Sequence, residues 1–176
     1  IAAGATLTLT NGSGDTATIS STIAGAGKLT KAGAGTLVLS GTLSYTGGTT
    51  LAGGTVQTND LPNSTALTFQ SGTLQARAAG SINESIAISL TATGGTIDLS
   101  NGSIIFSGGL SGSGPLTIAS TSAGNVLNLT GNNSGYSGDV TLNNGILGIG
   151  SNSAVGSGTL TVNGGKVRST TAPYTL

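Results

Sequence analysis

The side chains able to do acid–base or metal chemistry are few in this sequence of 176 residues. It contains no histidine and no cysteine, which removes the usual neutral-pH base, the usual metal ligand and every thiolate. Glycan-cleaving enzymes pair two carboxylates across the scissile bond, yet neither D-x-D nor D-D occurs here. We therefore predict solvated surface acids and no enzymatic activity. The carboxylates are Asp15, Asp60, Glu84, Asp98 and Asp139.

Two glycine-containing patterns could bind a ligand, but each has a simpler interpretation. The segment NGSGD at 11–15 is similar to a glycine–aspartate calcium turn. Such turns recur as a short repeat, whereas this one occurs once, so we predict a plain turn. The glycine dipeptides lack the strand-to-helix context of a phosphate loop. We predict no catalytic, cofactor-binding or metal-binding residue, and no cofactor.

Two lysines and two tyrosines are the other candidates for binding. Lys28 and Lys31 stand three residues apart, so on a strand they face opposite sides or straddle a corner. They could favour anionic glycans, but we interpret them as solubilising charge. Tyr45 and Tyr136 occupy the same position of an internal repeat. Stacked aromatic rings could bind sugar, but a structural role at a corner fits a repeated position better.

The composition excludes several classes of protein. The net charge is zero and the five basic residues are scattered, so the chain has no nucleic-acid footprint. No apolar run approaches the length of a membrane span, so we do not expect this segment to be embedded in a membrane. Without disulfides, stability must come from backbone ladders and stacked apolar side chains. With 32 glycines and no helical periodicity, the sequence predicts an all-β fold.

The segment 25–57 is the most regular part of the chain. Apolar residues at alternate positions are followed by Gly, Ser or Asn turns, which is typical of short, half-buried strands. The segment 112–148 repeats this pattern. We predict one domain, 1–176, made of two units of about 90 residues, roughly 4–93 and a truncated 94–176. Matched pairs include Gly25/Gly112, Leu29/Leu116, Leu37/Leu127, Leu39/Leu129, Tyr45/Tyr136, Gly47/Gly138, Leu51/Leu142, Gly54/Gly145 and Leu67/Leu160.

A unit repeated in one direction favours stacked coils over a sandwich or barrel, which could show similar strand spacing. We predict a single-stranded parallel β-helix of about seven to nine coils, about four per unit, rising about 4.8 Å per coil. Interleaved Thr and Ser should face outward. The polar segment 58–65 should be a loop, because Pro62 cannot lie in a central strand. Inward positions should include Leu7, Leu9, Ile19, Leu29, Leu37 and Leu39.

The run GAGKLTKAGAGTLVLSGTLSYTGGTTLAGGTVQ at 25–57 closely resembles the passenger-associated transport repeat of Gram-negative autotransporters. Residues 112–148 resemble it more loosely, with Pro115 and Ile118 in place of Lys28 and Lys31. The resemblance implies a right-handed parallel β-helix in a secreted or cell-surface passenger. It also implies a link to folding during translocation across the outer membrane.

Three functions remain open on the sequence. The leading one is a structural stalk, scaffold or adhesive surface, with a host or matrix surface as a partner. A second is a subunit that assembles head to tail with itself, because both ends, 1–10 and 171–176, are expected to break off within a coil. Such a chain would be an excised fragment or a processed product. The third, a glycan-binding or glycan-cleaving module, depends on Tyr45, Tyr136 and the scattered acids.

Overall fold

In a computed structural model the chain is a parallel β-solenoid of about eight coils. The structure describes residues 1–62, 66–78 and 80–170. Within these ranges every regular element is a strand, every strand pairing is parallel, and no helix long and apolar enough to cross a membrane occurs. The all-β parallel solenoid and the number of coils predicted from the sequence are confirmed.

Strands of two to five residues alternate with short corners along the whole described chain. In chain order they are β1 (Thr6–Thr10), β2 (Thr16–Ile19), β3 (Ile23–Gly25), β4 (Lys28–Ala32), β5 (Thr36–Leu39), β6 (Leu43–Tyr45), β7 (Thr49–Leu51), β8 (Thr55–Thr58), β9 (Leu67–Phe69), β10 (Thr73–Ala76), β11 (Ser81–Glu84), β12 (Ile88–Leu90), β13 (Gly95–Asp98), β14 (Ser103–Phe106), β15 (Leu110–Gly112), β16 (Leu116–Ala119), β17 (Val126–Leu129), β18 (Gly135–Tyr136), β19 (Val140–Leu142), β20 (Ile146–Ile149), β21 (Leu160–Val162) and β22 (Lys166–Ser169).

Each complete coil contributes one strand to each of three sides. Side 1 is a seven-stranded sheet in the order β1-β4-β7-β9-β12-β15-β18, and side 2 an eight-stranded sheet in the order β2-β5-β8-β10-β13-β16-β19-β21. Side 3 is split into β3-β6 and β11-β14-β17-β20-β22. The split arises because residues 59–62, in the coil between them, form no strand. This part of the predicted 58–65 loop is confirmed, and residues 63–65 lie outside the described residues.

The core is a set of apolar columns in which each inward side chain packs on its partner in the next coil. Leu29, Leu37 and Leu39 are buried as predicted. Leu7 and Leu9 are half-buried because the first coil has another coil on only one side, although both pack against the core. Alternation of inward apolar and outward polar residues thus sets both strand register and core.

The outward face of side 2 carries an unbroken column of threonines, as expected for interleaved polar residues. Each pairs with the next in strand register, whereas the neighbouring outward column varies from Thr18 and Val38 to Gln57 and Asp98. A β-branched polar residue suits an exposed strand position. The column consists of Thr16, Thr36, Thr55, Thr73, Thr96, Thr117, Thr141 and Thr161.

The two copies of the repeat are offset by four coils and one further side. Leu29 lies in β4 on side 1, whereas its counterpart Leu116 lies in β16 on side 2. Leu37 lies in β5 on side 2, whereas its counterpart Leu127 lies in β17 on side 3. Equivalent residues therefore point in different directions around the solenoid axis.

The additional offset of one side between the copies was not predicted from the sequence, because the number of residues per coil varies. A full turn takes 18 residues from Thr55 to Thr73 but 24 residues from Thr117 to Thr141. The division into units 4–93 and 94–176 stays a prediction, and residues 171–176 lie outside the described residues.

Candidate functional site

Lys31 is buried in the core at the corner between β4 and β5. Its side chain is 1% exposed and stands in the inward column between Leu9 and Leu51. The Nζ donates hydrogen bonds to the carbonyl oxygens of Ala32 at 2.6 Å, Gly33 at 2.9 Å and Gly53 at 3.4 Å. Three donors thus meet three acceptors, and burial lowers the pKa of Lys31.

The prediction that both lysines are solubilising charge is wrong for Lys31. Lys28 is exposed and Lys31 is buried, so the predicted placement on opposite faces is confirmed. The physical reason is the alternation of β4, which points Leu29 and Lys31 to the same, inward side. The backbone carbonyls of the corner then replace the water that the ammonium group loses.

The second copy satisfies the carbonyl groups of the corresponding corner in a different way. The side chain of Ile118, the counterpart of Lys31, is fully buried and offers no hydrogen-bond donor. There the side-chain amide of Asn144 donates to the carbonyl oxygen of Ser120 at 3.2 Å. Asn144 and Ser120 are the counterparts of Gly53 and Gly33. An amide from the following coil thus satisfies the carbonyl that the lysine satisfies in the first copy.

Glu84 is a second buried ionisable group, which corrects the prediction of solvated acids for this residue. It is 3% exposed, because Ile82 and Glu84 both face inward in β11, a strand whose polar sequence hides it from pattern analysis. Its Oε1 accepts a hydrogen bond from Leu61 N–H at 2.9 Å, while Oε2 has no partner within the described ranges. Burial, and then the Asp60 carboxyl, raise the pKa of Glu84, and the Leu61 bond opposes them.

Tyr45 and Tyr136 are structural, as predicted, and their burial rules out sugar stacking on them. Neither is exposed. Tyr45 Oη hydrogen-bonds Thr49 Oγ1 at 2.6 Å, and Tyr136 Oη donates to the Gly114 carbonyl at 2.8 Å. Burial raises the pKa of each tyrosine to about 12.

A glycine of the preceding coil lies in register with each tyrosine. Gly25 pairs with Tyr45 and Gly112 with Tyr136. Their φ angles of +111° and +99° lie where side chains are disfavoured. A Cβ at Gly112 would also stand 2.1 Å from the Leu90 carbonyl oxygen. The repeat therefore specifies a glycine and a tyrosine together.

The other described acids form no cluster of three, although the Asp60 carboxyl lies close enough to Glu84 to raise its pKa. Asp15 Oδ2 accepts from Gly12 N–H at 3.1 Å, which confirms the predicted plain turn at 11–15. Asp98 is half-buried, and its two oxygens accept from the Gln75 side chain at 2.8 Å and from Ser100 N–H at 2.9 Å. Asp60 and Asp139 are exposed. In the part of the chain that the structure describes, no group of three or more His, Cys, Asp or Glu could hold a metal ion.

A polar hollow of about 240 Å³ opens on side 1 beside Lys28. We call it the Lys28 hollow; its lining includes Lys28, Thr46, Gly48, Thr50, Ala66 and Thr68. Its floor is formed by the interior strands β4, β7 and β9. The lysine can be recognised in the sequence but the hollow cannot, because Ala66 is distant in the chain and belongs to the next coil but one.

Comparison with known proteins identifies the two stretches that the sequence analysis singled out. The family model described as passenger-associated-transport-repeat matches residues 29–57 and 124–149. The predicted resemblance is confirmed, and the β-solenoid agrees with the β-helix of an autotransporter passenger. Neither the curated proteins nor the solved structures contain a match to the chain.

Proposed function

We propose that this chain, with its two passenger-associated transport repeats, is a non-enzymatic scaffold or stalk segment of a secreted or cell-surface autotransporter passenger. The repeat family and the solenoid support this assignment. By the same resemblance, its location is extracellular or at the surface of a Gram-negative cell. Its mechanism is to hold distance and shape through stacked coils.

One observation carries the proposal: the positions that the two copies share build coils and do not form a common surface. The shared leucines and tyrosines are buried, except for the half-buried Leu160, and shared glycines lie at corners. The offset of one side turns the two copies toward different directions. A single flat partner cannot contact equivalent positions of both copies, so their recurrence favours a role in building the solenoid.

Paired substitutions in one strand test the scaffold role. Leu37→Asn should abolish protease resistance and the β-sheet circular dichroism signal, because Leu37 is 1% exposed. Thr36→Asn, at the adjacent outward position, should leave both unchanged. Release of reducing ends from a panel of polysaccharides, lost in Asp98→Asn, would overturn the proposal in favour of a glycan-cleaving enzyme.

Self-assembly is a second candidate, favoured by the last described coil. Val162 and Val167 are 49% and 36% exposed on β21 and β22, the last described strands of side 2 and side 3. Exposed apolar side chains on such a coil could pack against a further coil or a second copy. Electron microscopy at rising concentration separates the two: filaments support head-to-tail assembly, and particles of constant length contradict it.

A further inference from the structure

The Lys28 hollow contains hydrogen-bond donors that nothing in the described protein satisfies. Ala66 N–H has no partner among the described residues, and Lys28 forms no ion pair with any of them. The hydroxyls of Thr46 and Thr50 are also unpartnered within the described ranges. An ammonium group, a backbone N–H and two hydroxyls, none with a partner among the described residues, thus line one hollow.

The second copy shows which acceptor group such a set of donors binds. Its residues Asp139 and Thr159 are the counterparts of Gly48 and Ala66, and the surrounding backbone bonds are the same. Val140 N–H donates to the Thr159 carbonyl at 2.8 Å, as Thr49 N–H does to the Ala66 carbonyl at 2.9 Å. In the second copy the Asp139 carboxylate accepts Thr159 N–H at 2.8 Å.

The first copy lacks that carboxylate and leaves its place open. Gly48 has no side chain and a φ of +95°, which disfavours one, and a Cβ built on it would stand 3.2 Å from Ala66 O and 4.0 Å from Ala66 N. Lys28 stands where the second copy has Pro115, so the first copy adds a positive charge where the second has none. The corner therefore holds its own carboxylate in the second copy and none in the first.

We propose that the Lys28 hollow binds the carboxylate of an acidic sugar at the end of a glycan. Ala66 N–H and the Lys28 ammonium group would donate charge-assisted hydrogen bonds to the carboxylate. Thr46, Thr50 and Thr68 would take the sugar hydroxyls, since a threonine hydroxyl both donates and accepts. The volume of about 240 Å³ lies below the range of about 300–1,000 Å³ typical of pockets for drug-sized ligands, so the hollow suits a small ligand such as a single sugar ring.

An acidic peptide fits the hollow less well than a sugar. Peptides commonly add a strand to an exposed sheet edge, but β4, β7 and β9 are interior strands with both edges paired. The described lining consists of four threonines, two glycines, Lys28 and Ala66, so it offers hydroxyls and backbone groups for hydrogen bonding. A hydroxyl-rich ligand matches that chemistry.

Amide NMR titration of the whole chain with methyl glucuronide, against methyl glucoside as the matched neutral sugar, tests this site. We expect saturable shifts of the Ala66 amide with the acidic sugar only. The Thr159 amide is an internal control and should not move, because Asp139 already occupies it. Lys28→Gln should weaken binding about fivefold, the upper range for an exposed charge, and Lys166→Gln, at an exposed lysine in β22, should not.

A gain of function provides the converse test. Pro115→Lys with Asp139→Gly should give the second copy the donors of the first, so that the Thr159 amide now shifts with methyl glucuronide. No saturable shift at Ala66, or equal shifts with the neutral sugar, would overturn the site. Equal affinity for acetate or for a blocked glutamate would overturn its assignment to a sugar. The scaffold role is judged by protease resistance, so either proposal can fail alone.

Discussion

The two copies of the repeat build the same corner with opposite core chemistry. The first buries the Lys31 ammonium group and satisfies three backbone carbonyls with it. The second buries Ile118 and satisfies the matching carbonyl with Asn144. The contrast extends to Glu84, since among the described residues every buried ionisable side chain other than the tyrosines precedes the second copy.

What the two copies share is therefore a requirement of the backbone and not a residue. Corner carbonyls turn toward the interior and need donors, because an unpaired buried polar group costs about 1–3 kcal/mol. One long side chain from the same coil or one short amide from the next coil meets the need. Lys31 with Gly53 and Ile118 with Asn144 are thus alternative pairs.

The largest effect should come from placing the ammonium group in the wrong copy. Ile118→Lys should lower the free energy of unfolding by about 4 kcal/mol, because the corner already has its donor and the charge would be buried unpaired. Urea denaturation measures this, with Ile118→Val as the control at about 1 kcal/mol. A loss from the lysine variant no larger than the control's would contradict the comparison.

Removing the ammonium group from the first copy should have the next largest effect. Lys31→Ile should cost about 2 kcal/mol, because three carbonyls lose their donor while the burial cost of a charge is relieved. Lys28→Gln, at the exposed lysine, should stay within about 0.5 kcal/mol. If Lys31→Ile proved as stable as the natural chain, the carbonyls would have no need of the lysine.

The comparison predicts a specific rescue of smaller size. In the Lys31→Ile background, Gly53→Asn should recover about 1 kcal/mol by supplying an amide to the Gly33 carbonyl, as Asn144 does for Ser120. Gly53 has no positive φ, and a Cβ built on it would stand 3.3 Å from Gly33 O, so the side chain fits once the corner shifts by a few tenths of an ångström.

A double-mutant cycle isolates this coupling. Gly53→Asn alone should bring no gain in stability, because Lys31 already satisfies the carbonyl. Equal effects of Gly53→Asn with and without Lys31 would show that the two positions are independent.

The smallest expected effect is a pH dependence confined to the first copy. The pKa of Glu84 is raised by burial, so the folded chain keeps a proton that the unfolded chain loses above its ordinary value of 4.5. The stabilisation is complete below that value and is lost as pH rises through the folded pKa. Denaturation at a series of pH values should show a decline that Glu84→Gln removes; identical profiles would rule out this source.

Much of the fold could be predicted from the sequence because it depends on local alternation. Glycine corners and alternating leucines in 25–57 predicted the coils, and the buried Leu29, Leu37 and Leu39 followed from period two. The strand Ser81–Glu84 was not predicted, because Asn83 and Glu84 make its sequence resemble a loop. Its inward glutamate can be recognised only once the neighbouring coil is in place.

The candidate sites were harder to predict because they join residues from different coils. A charged residue is expected at the surface, so Lys31 was assigned there although its spacing from Leu29 pointed inward. The carbonyls that make its burial tolerable belong to the backbone and leave no mark in the sequence. The Lys28 hollow likewise depends on the absence of a side chain at Gly48 and on Ala66 two coils further on.

Because the copies are offset by four coils and one side, the number of repeats determines the direction in which the distal coils face around the solenoid axis. Adding one repeat would raise everything beyond it by about 21 Å, at about 4.8 Å per coil, and turn it by a third of a revolution. Three additions would restore the original azimuth. Gain or loss of a repeat would thus re-aim every distal surface of the molecule while leaving each coil unchanged.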